Sequence, residues 1–354
     1  MAFDSITGHE TVKKFIIKEF EQDRIPNAFL FHGPRGVGKF KTAVELSKLL
    51  NCTGGPVKPC GTCFSCRAIE NSEFPDVTLI DPLVNIKRSS EEGRKTESLR
   101  DTIDDVISAS VFKPNIGEKK IVIIDDVADL SVASLNNLLK LLEEPPAYMC
   151  LILITEEIGR ILPTIQSRCQ KITFKKLAPE ELTRLIQISE LPNDPIIAEL
   201  SEGSIGRYKE LSEGAFERYM GIIDKLSDTF EKKGSGVQDV IDSATSIEQM
   251  FSKETREYFR TAADFFDFLR TVMHKMLIEK NIHEKFKKFY FAISSANKTK
   301  QKNVNEDLEL RVRIMTLSSV VIDDAVKACR RYVNFELLLS RFVLNFGKSI
   351  RGID

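Results

Sequence analysis

Short apolar runs alternate with longer amphipathic segments through roughly the first 176 residues of the chain. Each run is short enough for one strand, and the segments between them carry apolar residues at helical spacing. This alternation predicts an α/β fold in which a parallel sheet is buried between helices. The predicted strands are Ala28–His32, Val77–Asp81, Lys120–Asp125, Met149–Thr155 and Lys171–Phe174. The predicted helices lie at about residues 9–22, 39–51, 97–110, 131–143 and 158–166.

The second half of the chain has a helical pattern, with no segment that favours a strand. A helix is predicted to begin at Pro179, because proline suits a first helical turn and the two glutamates after it favour the positive end of the helix dipole. We therefore expect three domains: an α/β domain at 1–176, a small helical lid at 177–215 and a helical C-terminal domain at 216–354. The polar segment 82–96 is expected to be a mobile loop.

Composition and charge restrict the function without identifying it. The chain has 354 residues, of which 42% are hydrophobic, so it can bury more than one core. Its net charge of −1 favours no particular partner. No apolar run approaches the ~20 residues of a membrane helix, and the N-terminus lacks the basic and apolar segments of a signal peptide. We therefore expect a cytoplasmic protein.

A glycine-rich loop follows the first predicted strand and opens the next helix. Residues 33–39 match the pattern Gly-x4-Gly-Lys of a nucleotide-binding phosphate loop. Gly33, Gly36 and Gly38 would allow backbone N–H groups to surround phosphate oxygens, with help from the positive end of the helix. Lys39 would reach the β- and γ-phosphates. The strand–loop–helix context predicts the geometry of a phosphate loop.

The residue after this lysine argues against ATP hydrolysis by the same loop. A serine or threonine should stand there to bind Mg²⁺, but the chain has Phe40, which offers no oxygen. Thr42 is a poor substitute because it lies roughly 200° further round the helix. The alternative interpretation is a structural turn retained from a nucleotide-binding ancestor.

Two carboxylates close the third predicted strand. Asp125 stands where a metal-associated carboxylate of a nucleotide hydrolase would lie, and Asp126 stands where a motor ATPase usually has the glutamate that orients water. Aspartate is shorter by one methylene, and a misplacement of about 1 Å can cost ~10²-fold in rate. Two acids that merely cap a strand are the alternative. Together with the loop, they favour a former Mg²⁺ site.

Four cysteines are concentrated in one short stretch at 52–66. Cys52, Cys60, Cys63 and Cys66 have the spacing Cys-x7-Cys-x2-Cys-x2-Cys. Four thiolates satisfy one tetrahedral Zn²⁺ and leave no open position, so the site would be structural. An iron–sulfur cluster and unligated thiols are the alternatives. Such clustering favours a metal in a reducing compartment over disulfides.

Two further features have both a functional and an ordinary explanation. Arg168, between Ser167 and Cys169, ends a predicted helix before a strand. It is either a surface charge or an arginine finger that enters a neighbouring subunit's ATP site, and spacing cannot separate the two. The lysine-rich stretch 275–302, with interleaved aromatic residues, is either a nucleic-acid surface or a solvated basic face over an apolar core.

Several of these motifs, in this order, resemble the bacterial clamp-loader subunits, which are AAA+ proteins of the DNA polymerase III holoenzyme. The resemblance covers about residues 3–210, and the C-terminal part agrees only in being helical. It includes the phosphate loop, the cysteine cluster and four short motifs. These are Pro75-Asp76, Ser98-Leu-Arg100, the stretch from Leu138 to Pro146, and Ser167-Arg168-Cys169.

Within this family, three departures from the motor pattern favour the delta-prime type over the gamma/tau motors. Phe40 replaces the Mg²⁺-binding hydroxyl, Asp126 replaces the motor's glutamate, and Gly206 stands where the motors carry a nucleotide-sensing arginine. Arg207 is adjacent, but one helical position turns a side chain by ~100°. A gamma-like ATPase motor is the alternative.

The resemblance implies a function and a set of partners. The α/β domain would be a RecA-like P-loop domain with an inserted zinc module, and the C-terminal helices would form a collar with the gamma/tau and delta subunits. Arg168 would reach the adjacent motor's ATP site while the complex loads the sliding clamp onto primed DNA. The chain's own ATPase activity would be absent or impaired, and passive ATP binding at Lys39 and Asp125 is left open.

Overall fold

The computed structural model describes two compact units, Met1–Lys209 and Glu210–Asp354. The residues described are 3–55, 57–80, 112–130, 132–231, 237–251, 255–278, 283–296, 319–329 and 335–351. The predicted helix at 97–110 and the loop at 82–96 lie outside them. The three predicted domains stay predictions.

The first unit is built on a sheet of five parallel strands in the order β2-β3-β4-β1-β5. The strands are β1 (Ala28–His32), β2 (Val77–Ile80), β3 (Lys120–Ile124), β4 (Met149–Thr155) and β5 (Gln170–Thr173). The register aligns Leu30 with Leu153 of β4 and with Lys171 of β5. The prediction of a parallel α/β sheet is confirmed, with strand ends that agree within about one residue.

Both faces of the central strands are buried, which explains their continuous apolar sequences. The helices of this layer are α1 (Glu10–Glu21), α2 (Lys39–Asn51), α3 (Phe64–Glu70), α4 (Val132–Glu143) and α5 (Pro163–Gln166). Phe29, Phe31 and Ile152 pack in one cluster with α1 and α2, whereas Leu30 and Leu151 pack on the other face with α4 and α5. Alternate residues of a strand therefore supply the two cores.

The predicted helix at 158–166 is two short segments instead. A 3-10 turn covers Ile158–Arg160, and α5 begins only at Pro163. The proline explains the interruption, because it lacks the N–H that a continuing helix would need and is tolerated only in the first turn.

Three short helices complete the first unit. They are α6 (Pro179–Ile188), α7 (Pro195–Leu200) and α8 (Ile205–Glu210). The helix start predicted at Pro179 is confirmed, and the Glu181 carboxylate accepts the backbone N–H of Ala178 at 2.9 Å. Tyr208 of α8 is fully buried, and its hydroxyl accepts the N–H of Asp194 at 3.0 Å, which ties α8 to the start of α7.

The second unit is helical throughout the residues that are described. Its helices are α9 (Phe216–Glu231), α10 (Val237–Glu248), α11 (Thr255–Ile278), α12 (Lys287–Ala296), α13 (319–329) and α14 (Phe335–Arg351). Aromatic rings form much of its core. The ring centroids of Tyr219 of α9 and Phe268 of α11 are 5.2 Å apart, and those of Phe266 of α11 and Phe342 of α14 are 4.6 Å apart.

Two observations bear on nucleic-acid binding by the lysine-rich stretch and on membrane spanning by the described helices. Within the lysine-rich stretch, Phe286 and Phe289 are buried, which favours the core explanation for its aromatic residues. None of the helices in the described part of the chain is long and apolar enough to cross a membrane.

Candidate functional sites

The phosphate loop lies between β1 and α2, at the carboxyl end of the sheet. Gly33, Gly36 and Gly38 have φ values of 140°, 70° and 107°, which residues with a side chain rarely adopt. A Cβ at Gly33 would also lie 2.1 Å from the carbonyl oxygen of Phe174. These observations explain why glycines occupy positions 33, 36 and 38.

Lys39 is turned back onto its own loop. Its ammonium donates to the carbonyl oxygens of Gly33 at 2.6 Å and Pro34 at 2.7 Å, and the residue is buried. Burial lowers the pKa of the Lys39 ammonium below its ordinary value, against the raising influence of three nearby carboxylates: Glu156, Asp125 and Asp126. A phosphate would have to replace the two carbonyl contacts to bind this lysine.

No hydroxyl is available where Mg²⁺ would need one in this helix turn. Phe40 follows Lys39 and leaves 37% of its surface exposed. Thr42 is fully buried, and its hydroxyl donates to the Gly38 carbonyl at 2.9 Å, as a helical threonine commonly does. Thr42 therefore does not replace the missing Mg²⁺ ligand.

Acidic residues occupy the same end of the sheet. Asp125 and Asp126 follow β3 directly, and Glu156 follows β4, which lies beside both β3 and β1. Asp126 has a φ of 61°, and its Oδ1 is buried without a hydrogen-bond partner among the described residues. Burial, with Asp129 and Glu156 nearby, raises the pKa of Asp126 to about 7. A carboxyl group that is partly protonated at neutral pH is poorly suited to accept a proton from an attacking water.

The helical segment after residue 177 contacts the loop directly. The N–H of Gly206 donates to the Gly36 carbonyl at 2.9 Å, and the Ser204 hydroxyl donates to the Arg35 carbonyl at 2.8 Å. A Cβ at Gly206 would lie 2.7 Å from the Cα of Gly36, so an arginine in its place would require the backbone to move. Arg207 lies 3.8 Å from the Glu202 carboxylate.

Arg168 lies at the amino ends of the strands, whereas the loop lies at their carboxyl ends. It precedes β5, whose first residue, Gln170, aligns with Phe29 of β1, whereas the loop follows His32 at the other end of that strand. At a rise of ~3.3 Å per residue, Arg168 lies roughly 15 Å from Gly33 along the strands, toward their amino ends.

The Arg168 side chain is partly exposed and has replaceable contacts. Its guanidinium donates to the Thr164 carbonyl and to the Glu143 carboxylate, both at 3.0 Å. Exposed fractions of 36% for Arg168 and 53% for Glu143 make this pair a solvated one. Burial raises the pKa of the neighbouring Cys169 thiol to about 12, so that residue packs as an apolar side chain.

The four clustered cysteines converge on one point. The sulfurs of Cys52, Cys60, Cys63 and Cys66 all lie within 4.8 Å of one another, and the Sγ atoms of Cys52 and Cys63 are 4.0 Å apart. Sulfurs around one tetrahedral Zn²⁺ lie roughly 3.8 Å apart. The geometry therefore fits one metal ion with four thiolate ligands.

Backbone hydrogen bonds prepare these sulfurs for a metal. The N–H groups of Cys60, Cys63 and Cys66 donate to the Sγ atoms of Cys52, Cys60 and Cys63, at 3.3, 3.3 and 3.5 Å. The N–H of Cys63 contributes most to lowering the pKa of the Cys60 thiol to about 6. Burial raises the pKa of the Cys66 thiol well above its ordinary value, which a bound cation would oppose.

The cysteine cluster is joined to the α/β core through α2 and α3. Lys48 of α2 is buried and lies between two carboxylates: Glu45 of its own helix at 2.8 Å and Glu70 at the end of α3. On α3, Ala68 and Ile69 pack with Phe74. The cluster is thus held on the fold by an ion pair and a small apolar contact.

The chain is similar in sequence to subunits of DNA polymerase III. Residues 8–178 match the model of a family described as "DNA polymerase III, delta subunit". The chain is 32% identical over 228 residues to the DNA polymerase III subunit tau of Bacillus subtilis, which covers 63% of this chain and 37% of that protein. It is also 33% identical over 184 residues to the delta′ subunit of the same organism, which covers 52% of each protein.

The match of residues 8–178, slightly less than half of the chain, is a similarity to subunits of DNA polymerase III. The matches span about a third to a half of the length of these curated relatives. Relatives named tau and relatives named delta′ are both present, so the names do not decide between the two types. A solved gamma subunit-related protein of Thermotoga maritima covers 97% of this chain at 19% identity, with a TM-score of 0.43.

The structure adds residues that the sequence patterns did not indicate. Glu156 faces Lys39, Glu143 pairs with Arg168, and His9 and Ser204 bind the loop carbonyls. Only Glu156 had a readable signal, since it directly follows a predicted strand. The others are brought to the site by tertiary packing.

Proposed function

We propose that this chain is a delta-prime-type AAA+ clamp-loader subunit that does not turn over ATP at its own phosphate loop. The observation that carries the proposal is the absence of a Mg²⁺-binding hydroxyl: Phe40 stands at the required position, and the Thr42 hydroxyl is bound to Gly38. Without that ligand, the ion that neutralises charge on the β- and γ-phosphates has no anchor on the loop.

Two further features weaken the same catalytic site. Asp126, at the position of the water-orienting residue, is short, half-buried and partly neutral near pH 7. Lys39 is occupied by the carbonyls of Gly33 and Pro34. Since a general base must be both ionised and correctly placed, these features add to the effect of Phe40.

The chain's catalytic contribution would be made in trans. We propose that Arg168, flanked by Ser167 and Cys169, enters the ATP site of an adjacent motor subunit and stabilises the transition-state charge there. Its place at the amino ends of the strands, away from its own loop at the carboxyl ends, supports this, because the guanidinium cannot serve the cis site over roughly 15 Å. An exposed pair such as Arg168–Glu143 is worth only about 0–1 kcal/mol, so Glu143 can be exchanged for a phosphate at low cost.

We propose Zn²⁺ as the ion of the four-cysteine cluster, with Cys52, Cys60, Cys63 and Cys66 as ligands. All four donors are sulfur and their separations suit a tetrahedral ion. Such a site is saturated, so it would stabilise the module and take no part in chemistry. Metal analysis would test the choice, since an iron–sulfur cluster would give iron, sulfide and visible absorption.

The partners follow from the same proposal. The chain would assemble with gamma/tau and delta subunits in the cytoplasm, with its second unit in their collar, and it would act on the sliding clamp and primed DNA through the complex. The relatives named above are subunits of DNA polymerase III, which supports such an assembly.

ATP hydrolysis by the purified chain tests the central proposal. We expect no turnover with Mg²⁺ and primed DNA above that of a Lys39→Ala control. Turnover that is lost in Lys39→Ala would contradict the proposal and make the chain a gamma-like motor with another Mg²⁺ ligand. A Phe40→Thr variant sharpens the test: it restores the hydroxyl but leaves Asp126 in place, so we expect it to remain inactive.

A further inference from the structure

Every carbonyl of the phosphate loop is already bound by the protein. Six consecutive carbonyl oxygens, those of residues 33 to 38, each accept at least one hydrogen bond. Lys39 binds the first two and Thr42 the last. The loop is therefore held in one conformation without any ligand.

The three central carbonyls are bound from outside the loop and its helix. Ser204 binds the carbonyl of Arg35 at 2.8 Å, and the N–H of Gly206 binds that of Gly36 at 2.9 Å. On the other side, His9 Nε2 lies 2.7 Å from the carbonyl of Val37. Because a carbonyl can only accept, Nε2 of His9 carries the proton here.

Close packing accompanies these hydrogen bonds on both sides. A Cβ at Gly36 would lie 2.5 Å from the Ser204 hydroxyl oxygen and 2.9 Å from the Cα of Gly206, so the two backbones meet without a side chain between them. The ring of His9 packs edge-on against Phe174, with centroids 4.9 Å apart. Phe174 in turn lies 5.1 Å from Phe31 of β1.

We propose that the phosphate loop of this chain acts as a structural connector, which fixes the N-terminal segment at His9 and the helical segment at Ser204–Gly206 to each other through its own carbonyls. Lys39 is then a structural residue that closes the loop, and its retention does not require a nucleotide. The inference builds on the proposed lack of turnover, but it concerns mechanical coupling across the loop.

Hydrogen–deuterium exchange on the full chain tests this coupling from both ends. His9→Phe keeps a ring against Phe174 but removes the donor to Val37, and Ser204→Ala removes the donor to Arg35. We expect each variant to speed exchange about fivefold to tenfold in all three segments, 9–12, 33–39 and 203–209. Ser189→Ala, an exposed serine of the same helical segment, is the matched control and should change none of them.

The pattern across segments decides the outcome. If His9→Phe loosens only the N-terminal segment and Ser204→Ala only the 203–209 segment, the loop does not connect them and the proposal is wrong. A Gly206→Ala variant adds a stronger perturbation on the lid side, with Gly159→Ala as its control, since a Cβ at Gly159 meets nothing within 4 Å. These outcomes do not depend on ATP turnover or on Arg168, so failure here leaves the proposed function to its own test.

Discussion

Replacing Arg168 by alanine should separate the assembly's ATP chemistry from the stability of this chain. In the isolated chain, the guanidinium has two contacts, the Thr164 carbonyl and the Glu143 carboxylate, each at 3.0 Å. Both charged side chains are substantially exposed, at 36% and 53%, so losing their pair costs about 0–1 kcal/mol. For a unit of this size, that loss lowers the melting temperature by no more than about 4 °C.

The expected effect on hydrolysis is much larger. An arginine supplied in trans is worth ~10³–10⁵ in rate at the site that it enters, which corresponds to about 4–7 kcal/mol of transition-state stabilisation. According to the arginine-finger proposal, only the motor site that faces this chain would lose its arginine. Single-turnover hydrolysis by the reconstituted loader should therefore lose one kinetic phase, while the other sites keep theirs.

The assay compares four versions of the chain in otherwise identical complexes. They are the wild type, Arg168→Ala, Arg168→Lys and a control, Arg184→Ala, which removes an exposed arginine from α6. We expect Arg168→Lys to recover little activity, because an ammonium lacks the planar fork of a guanidinium. Unchanged hydrolysis by the Arg168→Ala loader would refute the arginine-finger proposal, and so would a loss explained entirely by unfolding or failed assembly.

Three further predictions concern groups that the structure places in or beside the sites. Asp126→Asn should raise the free energy of unfolding by up to about 4 kcal/mol at pH 8 and leave it unchanged at pH 4. The reason is that the raised pKa of Asp126 in the folded chain makes the wild type lose stability as pH rises from about 4 to about 7. Thermal unfolding against pH measures this, and Asp23→Asn, at an exposed position with similar φ, should show no such gain. Asp76→Asn should destabilise the chain by at least about 1–3 kcal/mol, because its NH₂ group must replace one carboxylate oxygen and cannot accept an N–H. Oδ1 now accepts the N–H of Asn115 at 2.7 Å, and Oδ2 accepts those of Ile116 and Gly117, both at 2.8 Å. A change below about 1 kcal/mol in denaturant unfolding would contradict this. Purified chain should hold one zinc per molecule, and Cys66→Ser should lose it together with protection of α3 in proteolysis, whereas Cys150→Ser should keep the metal.

The pH dependence of Asp76 has the opposite sign from that of Asp126. Burial alone would raise the pKa of Asp76, but the N–H groups of Gly117, Asn115 and Ile116 outweigh it and lower the pKa. Its stabilising effect is therefore present above the ordinary aspartate value of about 3.9 and is lost as pH falls through the lower folded value.

Much of the first unit could be predicted from the sequence, because the information is local. Strands buried on both faces require unbroken apolar runs, so β1, β3 and β4 were readable with nearly correct ends. The spacing Gly-x4-Gly-Lys predicts a phosphate loop, and four cysteines in fifteen residues of chain predict a metal site. The departure at Phe40 was equally visible, because it depends on the type of one residue.

Only the tertiary structure could decide which residues far apart in the sequence lie close together or far apart in space. That Arg168 lies at the end of the strands opposite its own loop follows from the parallel register of β5 with β1, which no local pattern specifies. That Lys39, Ser204, Gly206 and His9 share the loop carbonyls depends on side chains and backbones brought together by packing over up to 169 positions of sequence. A hydrogen bond over such a separation leaves no periodic signal, because its partners are selected by the fold and not by their neighbours in the chain.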